Sequence, residues 1–258
     1  MSPAQKVWLD YDQAALDAAY DQRAWCADVP AWLARYKADT EAARAKLRPE
    51  TSSYGPHLLD LYPARAPRRG LHLHVHGGAW RAQSREDAGF VAPALSAAGF
   101  DVAVPDFGAL PATRMPDVVE ELRRCVAFVT PRGPIHISGH SSGAHLAAVL
   151  ATELPFASVT LISGAYDLAP VLLSSRRDYV RLTAEEADAL SPLRHAARIT
   201  APVLIAWGTR ESPEFIRQGE AMAEATQARR FVLDGVHHFA APYALTEGPL
   251  HAALLSLA

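Results

Sequence analysis

The sequence lacks several features that would place the protein in a specialised class. Its only two cysteines, Cys26 and Cys125, are too far apart to suggest a metal-binding spacing or a disulfide framework, so we expect two reduced thiols. No apolar run approaches the length of a membrane span, and the first ten residues have neither the basic nor the apolar stretch of a signal peptide. The expected location is therefore the cytoplasm.

An excess of charge of one sign is also missing. The formal net charge is −3, and basic and acidic residues are mixed along the chain, which argues against a nucleic acid or a membrane surface as a partner. There is no internal repeat and no low-complexity segment. Half of the 258 residues are hydrophobic, which suits a globular protein with one large core. The oligomeric state is left open between a monomer and a homodimer.

The first fifty residues differ from the rest because they are rich in alanine and carry apolar residues at helical spacing. They predict two helices, over residues 13–25 and 30–47. The second helix has Asp28 as a candidate cap, Pro30 in its first turn and Pro49 just beyond its end. We therefore predict an N-terminal helical extension over residues 1–50, which either supports the main domain or covers part of a site.

Residues 51–258 alternate between strand-like and helix-like segments. This alternation predicts an α/β fold, with a mostly parallel sheet and helices on both of its faces. A helix-rich insertion at about 166–198 is expected over the carboxyl ends of the strands. The predicted strands are 57–62, 71–75, 100–104, 134–138, 158–162, 202–207 and 230–233. The predicted helices are 84–99 (with Ser84 and Asp87 as a capping box), 116–129, 144–151, one from Pro213 and a helical tail over 242–257.

The most informative motif is Gly139-His140-Ser141-Ser142-Gly143, which fits the pattern G-x-S-x-G. It lies between a predicted strand and a predicted helix, where the pattern is typical of a very tight turn. Such a turn holds the serine in a strained backbone conformation and presents its hydroxyl at the top of the sheet. Ser141 is therefore the candidate nucleophile.

A second motif, His76-Gly77-Gly78-Ala79-Trp80, follows an earlier predicted strand. Two glycines leave backbone N–H groups free to point toward one site. With the N–H of Ser142, those of Gly77 and Gly78 are predicted to form an oxyanion hole for the charge that develops on a carbonyl oxygen under attack.

A serine hydroxyl needs a base, and the base needs an acid that orients it. In folds with a G-x-S-x-G turn the acid follows the nucleophile in the chain and the histidine comes last. The loop after the strand at 202–207 offers Glu211 and Glu214, and the loop after the last strand offers His237 and His238.

Glu211 is the preferred acid because it lies in the loop ahead of the helix cap. Glu214 falls in the first turn of a helix, where a carboxylate is favoured by the helix dipole whatever the function. Asp167 and Asp234 remain as alternatives, although Asp234 also suits a turn before Gly235.

Most of the 11 histidines must have structural roles. His72, His74 and His76 alternate along one strand and share a face, which permits a metal-binding interpretation. No cysteine or acidic residue is spaced nearby to complete such a site, so we expect no metal and no other cofactor. His76 is instead predicted to hydrogen-bond the backbone of the glycine loop.

Taken together, these motifs resemble the α/β-hydrolase superfamily and, within it, the kynurenine formamidase (arylformamidase) branch, which is close to the hormone-sensitive-lipase-type esterases. The likeness spans nearly the whole chain. Besides the glycine loop and the serine motif it is carried by Arg114-Met115-Pro116-Asp117-Val118-Val119, Ser163-Gly164-Ala165-Tyr166-Asp167-Leu168-Ala169-Pro170, Leu190-Ser191-Pro192-Leu193, Glu211-Ser212-Pro213-Glu214-Phe215 and His238-Phe239.

The resemblance implies that the nucleophile is Ser141 and that the histidine is His238. The family's acid is usually aspartate, and here Glu211 stands in its place. A further departure is Phe107-Gly108, where relatives commonly have a Tyr-Arg pair, so the wall of the pocket is expected to differ.

The resemblance also implies a reaction. The expected activity is hydrolysis of N-formyl arylamines, such as N-formyl-L-kynurenine, to formate and the free amine, as in tryptophan catabolism or a related pathway. Trp80, Tyr166 and Phe239 are expected to line the side that takes the aromatic leaving group. The alternatives are a carboxylesterase that acts on small acyl esters and a non-catalytic, ligand-binding member of the fold.

Overall fold

The computed structural model describes residues 5–258. Residues 1–4, which belong to the predicted extension and to the stretch considered for a signal peptide, lie outside the described part. Within that part the chain forms ten strands and nine α-helices, joined by loops and short 3₁₀ turns.

The strands are β1 (Lys6–Trp8), β2 (Tyr11–Asp12), β3 (Glu50–Ser53), β4 (Leu58–Tyr62), β5 (Gly70–Val75), β6 (Phe100–Pro105), β7 (Ile135–His140), β8 (Ser158–Ile162), β9 (Val203–Gly208) and β10 (Arg229–Leu233). The helices are α1 (Gln13–Tyr20), α2 (Val29–Leu47), α3 (Ala92–Ala97), α4 (Met115–Val129), α5 (Ser142–Ala151), α6 (Ala169–Leu173), α7 (Ala184–Ala189), α8 (Pro213–Ala225) and α9 (Gly248–Leu255).

Eight of these strands form one sheet in the order β10-β9-β8-β7-β5-β6-β4-β3. The strands from β10 to β6 are parallel, whereas β4 and β3 are antiparallel to their neighbours at one edge. The predicted mostly parallel α/β sheet is therefore confirmed. Because the central strands are parallel, their carboxyl ends meet at one edge of the sheet, where loops from different parts of the chain come together.

The sheet is covered on both faces, which explains why its central strands are buried along their whole length. One face packs against α1, α4, α5 and α8, and the other against α2, α3 and α9. In α4 the predicted apolar stripe of Val119, Leu122, Val126 and Val129 is buried against the first face. The helical spacing of the apolar residues in α4 therefore determines which side of the helix faces the sheet.

The second N-terminal helix begins and ends where its sequence signals predict. The Asp28 carboxylate accepts a hydrogen bond from the N–H of Ala31 at 3.0 Å, and Pro30 lies in the first turn. The helix ends at Leu47, and the capping residue Arg48, whose φ is 52°, precedes Pro49. This helix is therefore confirmed, but the first is shorter than predicted: α1 ends at Tyr20, and residues 22–25 form a 3₁₀ turn.

The helix predicted over residues 84–99 is α-helical only in its second half. The capping box of Ser84 and Asp87 is present, but it opens a 3₁₀ turn rather than an α-helix, and the α-helical part begins only at Ala92. Gly89 lies at this interruption, at a position where a Cβ would lie 2.1 Å from the Tyr62 hydroxyl. The backbone therefore passes directly against the sheet before α3 begins.

Three strands were not predicted, namely β1, β2 and β3. Each has only two to four residues, and β3 is the polar stretch Glu50–Ser53 at the sheet edge. β3 pairs with β4 at the exposed edge of the sheet, so its side chains are polar. The alternation of apolar and polar residues that predicts a strand is therefore missing.

The segment predicted as a helix-rich insertion contains α6, α7 and two 3₁₀ turns, at Ser175–Asp178 and Pro192–Arg198. The predicted tail helix is split, with a 3₁₀ turn at Ala241–Leu245 before α9. From Gln5 onward, no helix is both long enough and apolar enough to cross a membrane.

Candidate active site

Ser141 occupies the sharp turn between β7 and α5. Its φ of 56° and ψ of −123° lie outside the regions that non-glycine residues favour. The turn is fixed from both sides, since the Ser141 N–H donates to the Ile162 carbonyl at 2.9 Å and the Ser141 carbonyl accepts from the N–H groups of Ala144 and His145. The strained conformation predicted from the motif is therefore present.

The two glycines of the motif are required by close backbone approach. A Cβ on Gly139 would lie 2.2 Å from the Gly143 carbonyl oxygen, within the first turn of α5. A Cβ on Gly143 would lie 2.1 Å from the carbonyl oxygen of Val75 on the neighbouring strand. Side chains at these positions would push the helix away from the sheet and displace Ser141.

His238 joins the candidate nucleophile to the candidate acid. Its Nε2 lies 2.9 Å from the Ser141 hydroxyl, and its Nδ1 lies 2.7 Å from Oε2 of Glu211. All three side chains are buried, with exposed fractions of 5 % for Ser141, 4 % for His238 and 2 % for Glu211. In the tautomer that satisfies both contacts, the serine hydroxyl donates to Nε2 and Nδ1–H donates to the carboxylate.

The second oxygen of Glu211 is held by the protein rather than by solvent. Oε1 accepts from the N–H of Gly208 at 2.7 Å and from the hydroxyl of Ser163 at 2.6 Å. Ser163 follows β8, and Gly208 ends β9, so the carboxylate sits where the two strands meet the loop. The Ser163 contact was missed in the sequence, because nothing in the Ser-Gly-Ala-Tyr segment indicates a partner 48 residues later.

The other candidate acids lie elsewhere. Glu214 is fully buried and pairs with Arg217 at 2.7 Å, while Asp167 contacts Arg194 at 3.0 Å. Asp234 approaches Thr209 at 3.4 Å in an exposed turn. Among these carboxylates the structure therefore brings only Glu211 to the histidine.

Of the two adjacent histidines, His237 points to the N-terminal extension instead of Ser141. Its Nε2 lies 3.8 Å from the Cys26 sulfur, and its ring meets the ring of Trp32 edge-on at 4.9 Å. Burial is the main cause that lowers the pKa of His237. His140 directly precedes the nucleophile. Its Nε2–H donates to the His238 carbonyl at 2.9 Å, and this hydrogen bond helps to position the histidine loop.

Gly78 of the glycine loop adopts a backbone conformation that suits only glycine. Its φ is 103°, and a Cβ there would lie 1.9 Å from the Ala82 carbonyl oxygen. No hydrogen bond formed within residues 5–258 uses the N–H of Gly77, Gly78 or Ser142. These donors are thus unused by the protein beside the serine turn, while the role assigned to them stays a prediction.

The three aromatic residues predicted to contact a leaving group differ in their exposure. Trp80 and Tyr166 are buried, and Trp80 Nε1–H donates to Nδ1 of His145 at 3.1 Å. Tyr166 accepts from the Gly164 N–H at 3.3 Å. Phe239 is half-buried, and its ring lies 5.6 Å from that of His238. Phe239 is therefore the most exposed of the three and lies beside His238, while contact of any of them with a substrate stays a prediction.

His145 links three parts of the site. Its Nδ1 accepts from the Trp80 indole and its Nε2 donates to the Leu190 carbonyl at 2.7 Å, so it joins the glycine loop, α5 and the insertion. Burial lowers the pKa of His145 to about 4, which keeps the ring neutral and able to accept at Nδ1.

The histidines of β5 have local structural partners. His72 and His74 both contact the Ser138 hydroxyl, at 2.7 and 2.8 Å, and His76 Nδ1 lies 2.9 Å from the Gly77 carbonyl, as predicted. The His76 ring also stacks on Phe107, at a centroid distance of 4.2 Å. Within residues 5–258 no three His, Cys, Asp or Glu side chains converge as metal ligands would.

The N-terminal extension contacts the loops that carry both partners of the nucleophile. Tyr36 of α2 donates its hydroxyl to the Phe239 carbonyl at 2.5 Å, directly after His238. Gln22 donates to the Ser212 hydroxyl at 2.9 Å, directly after Glu211. The extension therefore fixes the histidine loop and the acid loop from outside the sheet.

Comparison with known proteins identifies the family of this chain. A kynurenine formamidase of Salmo salar is 31 % identical over 210 residues, covering 72 % of this chain and 71 % of that protein. A kynurenine formamidase of Danio rerio is 29 % identical, covering 86 % and 85 % of the two chains. This chain belongs to the kynurenine formamidase family.

The other comparisons support the same fold. The BD-FAE family model matches residues 59–159, which include the glycine loop and the serine turn. A crystal structure from Silicibacter sp. TM1040, provisionally described as a thioesterase, has a TM-score of 0.87 at 29 % identity and covers 93 % of this chain and 98 % of that one. An esterase of Pyrobaculum calidifontis has a TM-score of 0.67 at 19 % identity, with coverage of 89 % and 91 %, a likeness of fold alone. The protein is a hydrolase of the α/β-hydrolase fold.

Proposed function

We propose that the protein hydrolyses the formamide bond of N-formyl arylamines, such as N-formyl-L-kynurenine, through a Ser141-His238-Glu211 triad. The observation that carries the proposal is the pair of hydrogen bonds made by His238, at 2.9 Å to Ser141 and 2.7 Å to Glu211. Membership of the kynurenine formamidase family supports the formamide as the scissile group.

In the first half of the reaction, the Ser141 hydroxyl oxygen attacks the formyl carbon while His238 takes its proton. The negative charge moves to the formyl oxygen, where the N–H groups of Gly77, Gly78 and Ser142 donate to it. His238 then gives its proton to the amine nitrogen. The C–N bond breaks, the arylamine leaves and the formyl group remains on Ser141.

In the second half, water attacks the formyl ester and His238 takes the water proton. The ester bond to Ser141 breaks, formate is released and the serine oxygen recovers its proton from His238. Glu211 stabilises the imidazolium in both halves, and its own position is kept by Ser163 and Gly208.

The burial of the nucleophile fits a small acyl group. Ser141 is only 5 % exposed, and a formyl group is the smallest acyl group that an amide can carry. A carboxylesterase would use the same triad, so the choice between the two reactions depends on the shape of the pocket rather than on the chemistry.

The test is the ratio of kcat/KM for N-formyl-L-kynurenine and for p-nitrophenyl acetate. We expect a preference for the formamide, and Ser141→Ala should abolish both activities while the protein remains folded. A large preference for the ester would overturn the formamidase proposal in favour of an esterase. Labelling of Ser141 by a fluorophosphonate probe separates both from a non-catalytic protein, because that protein would not be labelled.

A further inference from the structure

The three N–H groups assigned to the oxyanion hole come from two separate segments of the chain. Gly77 and Gly78 belong to the loop after β5, whereas Ser142 opens α5. Such donors stabilise a developing negative charge only when they converge on the one position that the charged oxygen will occupy. The position of the glycine loop relative to α5 is therefore a requirement of the proposed reaction.

On its β5 side, the glycine loop packs directly against α5. A Cβ on Gly143 would lie 2.1 Å from the Val75 carbonyl oxygen and 2.3 Å from that of His76. This backbone contact sets the distance between the start of the loop and the first turn of α5. It does not reach the residues that follow the two glycines.

Beyond the glycines the backbone is strained. Ala79 and Trp80 have φ values of 55° and 60°, in the left-handed region that large side chains rarely occupy. A residue keeps such a conformation only when the surrounding structure holds it there. The Trp80 carbonyl accepts from the N–H of Leu110 at 2.8 Å, but this contact joins the loop to the segment after β6 and not to α5.

The side chain of Trp80 supplies the connection to α5. Its indole N–H donates to Nδ1 of His145 at 3.1 Å, and the two rings meet edge-on at 5.3 Å. His145 lies in the first turn of α5, and its backbone N–H donates to the Ser141 carbonyl at 3.2 Å. Because both side chains are buried, solvent does not compete for this hydrogen bond.

A second contact makes His145 an acceptor for the indole. Its Nε2–H donates to the Leu190 carbonyl at 2.7 Å, which leaves the lone pair of Nδ1 facing Trp80. The ring is thus held from two sides in one tautomer. An apolar side chain in its place would leave the buried indole N–H without a partner.

We propose that His145 is a positioning residue for the oxyanion hole. Through Trp80 it holds the strained glycine loop at the distance from α5 at which the backbone donors converge, and it does not touch the reacting atoms itself. This inference rests on the proposed function and its serine mechanism. It applies to any acyl group that Ser141 attacks, so an ester tests it as well as a formamide.

The test measures kcat and KM for N-formyl-L-kynurenine and p-nitrophenyl acetate in matched variants. His145→Leu removes the acceptor at a similar side-chain volume, whereas His145→Asn keeps an acceptor oxygen near the position of Nδ1. Trp80→Phe removes the donor and keeps an aromatic ring. His136→Leu is the control, because His136 is another buried histidine, with Nδ1 at 2.8 Å from the Ser158 hydroxyl near the start of β7.

We expect His145→Leu to lower kcat for both substrates by about 100-fold with KM nearly constant, since displaced donors lose the transition state and not the substrate. His145→Asn should recover most of this loss. His136→Leu should lower the melting temperature and leave kcat of the folded protein unchanged. The double variant Trp80→Phe/His145→Leu should lose little more than the weaker single variant, because both side chains act through one hydrogen bond.

An unchanged kcat in His145→Leu, or equal losses in His145→Leu and His136→Leu, would overturn the positioning role. Losses that multiply in the double variant would also overturn it, because Trp80 and His145 would then act independently. If His145→Leu does not fold, Trp80→Phe decides, and a kcat equal to that of the wild type counts against the inference. A wild type that hydrolyses neither compound sinks the proposed function as well, whereas an active wild type with unaffected variants sinks this inference alone.

Discussion

The Ser163 hydroxyl donates to Oε1 of Glu211 at 2.6 Å, while Oε2 of the same carboxylate accepts from His238 at 2.7 Å. Ser163→Ala removes one of the contacts that fix the carboxylate, and loss of a hydrogen bond to a charged group corresponds to about a tenfold fall in kcat. KM should change little, because Ser163 acts on His238 through Glu211. Ser158→Ala, at the start of β8, the strand that Ser163 follows, is the control. An unchanged kcat in Ser163→Ala would contradict the positioning role.

Glu211→Gln tests the acid directly. The neutral amide lacks the charge that stabilises the imidazolium, and its NH2 group cannot accept the Nδ1–H of His238, so we expect kcat to fall by about 10³- to 10⁴-fold in a folded protein. Glu214→Gln is the matched control, because Glu214 pairs with Arg217 and contacts Tyr20 instead of the histidine. It should lower the melting temperature and spare kcat, and substantial activity in Glu211→Gln would show that another group serves as the acid.

Gly78→Ala tests the oxyanion loop. The added Cβ would lie 1.9 Å from the Ala82 carbonyl oxygen, so the loop must move and carry its N–H groups away from the developing charge. We expect kcat to fall by about 100-fold or more. Gly55→Ala introduces a Cβ at a similar positive φ but with no atom within 4 Å, so it separates backbone strain from displacement of the loop. Equal losses in the two variants would count against the oxyanion assignment.

Tyr36→Phe tests whether the N-terminal extension positions the histidine loop. The variant keeps the ring that stacks on Phe90 and loses only the hydroxyl that donates to the Phe239 carbonyl. We expect kcat to fall about fivefold with KM nearly constant, since one neutral hydrogen bond is removed. Tyr243→Phe, which loses a contact to Asp39, should leave kcat unchanged. Identical kcat values for the wild type and Tyr36→Phe would limit the extension to a stabilising role.

The buried histidines predict a loss of stability in mild acid. Burial lowers the pKa of His145 to about 4 and that of His74 to about 3, below the ordinary value of about 6.5. The unfolded chain therefore binds protons at these sites between pH 6.5 and about 4, whereas the folded protein does not. Above pH 6.5 these histidines are neutral in both states and do not reduce the free energy of unfolding. As the pH decreases from 6.5 toward 4, the free energy of unfolding falls, because protonation stabilises the unfolded chain.

Denaturant unfolding at several pH values between 7 and 5 measures this slope. In His145→Gln the unfolded chain takes up about one proton fewer at pH 5. The slope of the free energy of unfolding against pH should therefore fall by about 1.4 kcal/mol per pH unit. His251→Gln, at a half-buried position in α9, supplies a comparison for loss of a histidine outside the core. An unchanged slope in His145→Gln would mean that the ring is protonated in the folded protein.

The parts of the molecule that could be predicted from the sequence are those determined by neighbouring residues. The strand, turn and helix around Ser141 follow from two glycines that allow the close backbone approaches seen in the structure. The start of α8 follows from Ser212 as a cap and Pro213 in the first turn, which also leaves Glu211 in the preceding loop. Local chemistry was sufficient in these cases.

The parts that were missed depend on residues that are distant in sequence. The support of Glu211 by Ser163, and of the histidine loop by Tyr36, joins segments 48 and 203 residues apart. The partner of the Trp80 indole shows the same limit, because its hydrogen bond to His145 joins segments 65 residues apart. A single sequence carries no signal for such pairs.

The hydrogen bond from Tyr36 to the Phe239 carbonyl has a consequence for the order in which the protein becomes active. Contacts at large sequence separation carry a greater cost of loop closure and tend to form late in folding. Tyr36 precedes Phe239 by 203 residues, so α2 leaves the ribosome well before its partner loop is synthesised. The sheet and its helices can therefore be in place before the histidine loop is fixed, and activity should return after the core during refolding.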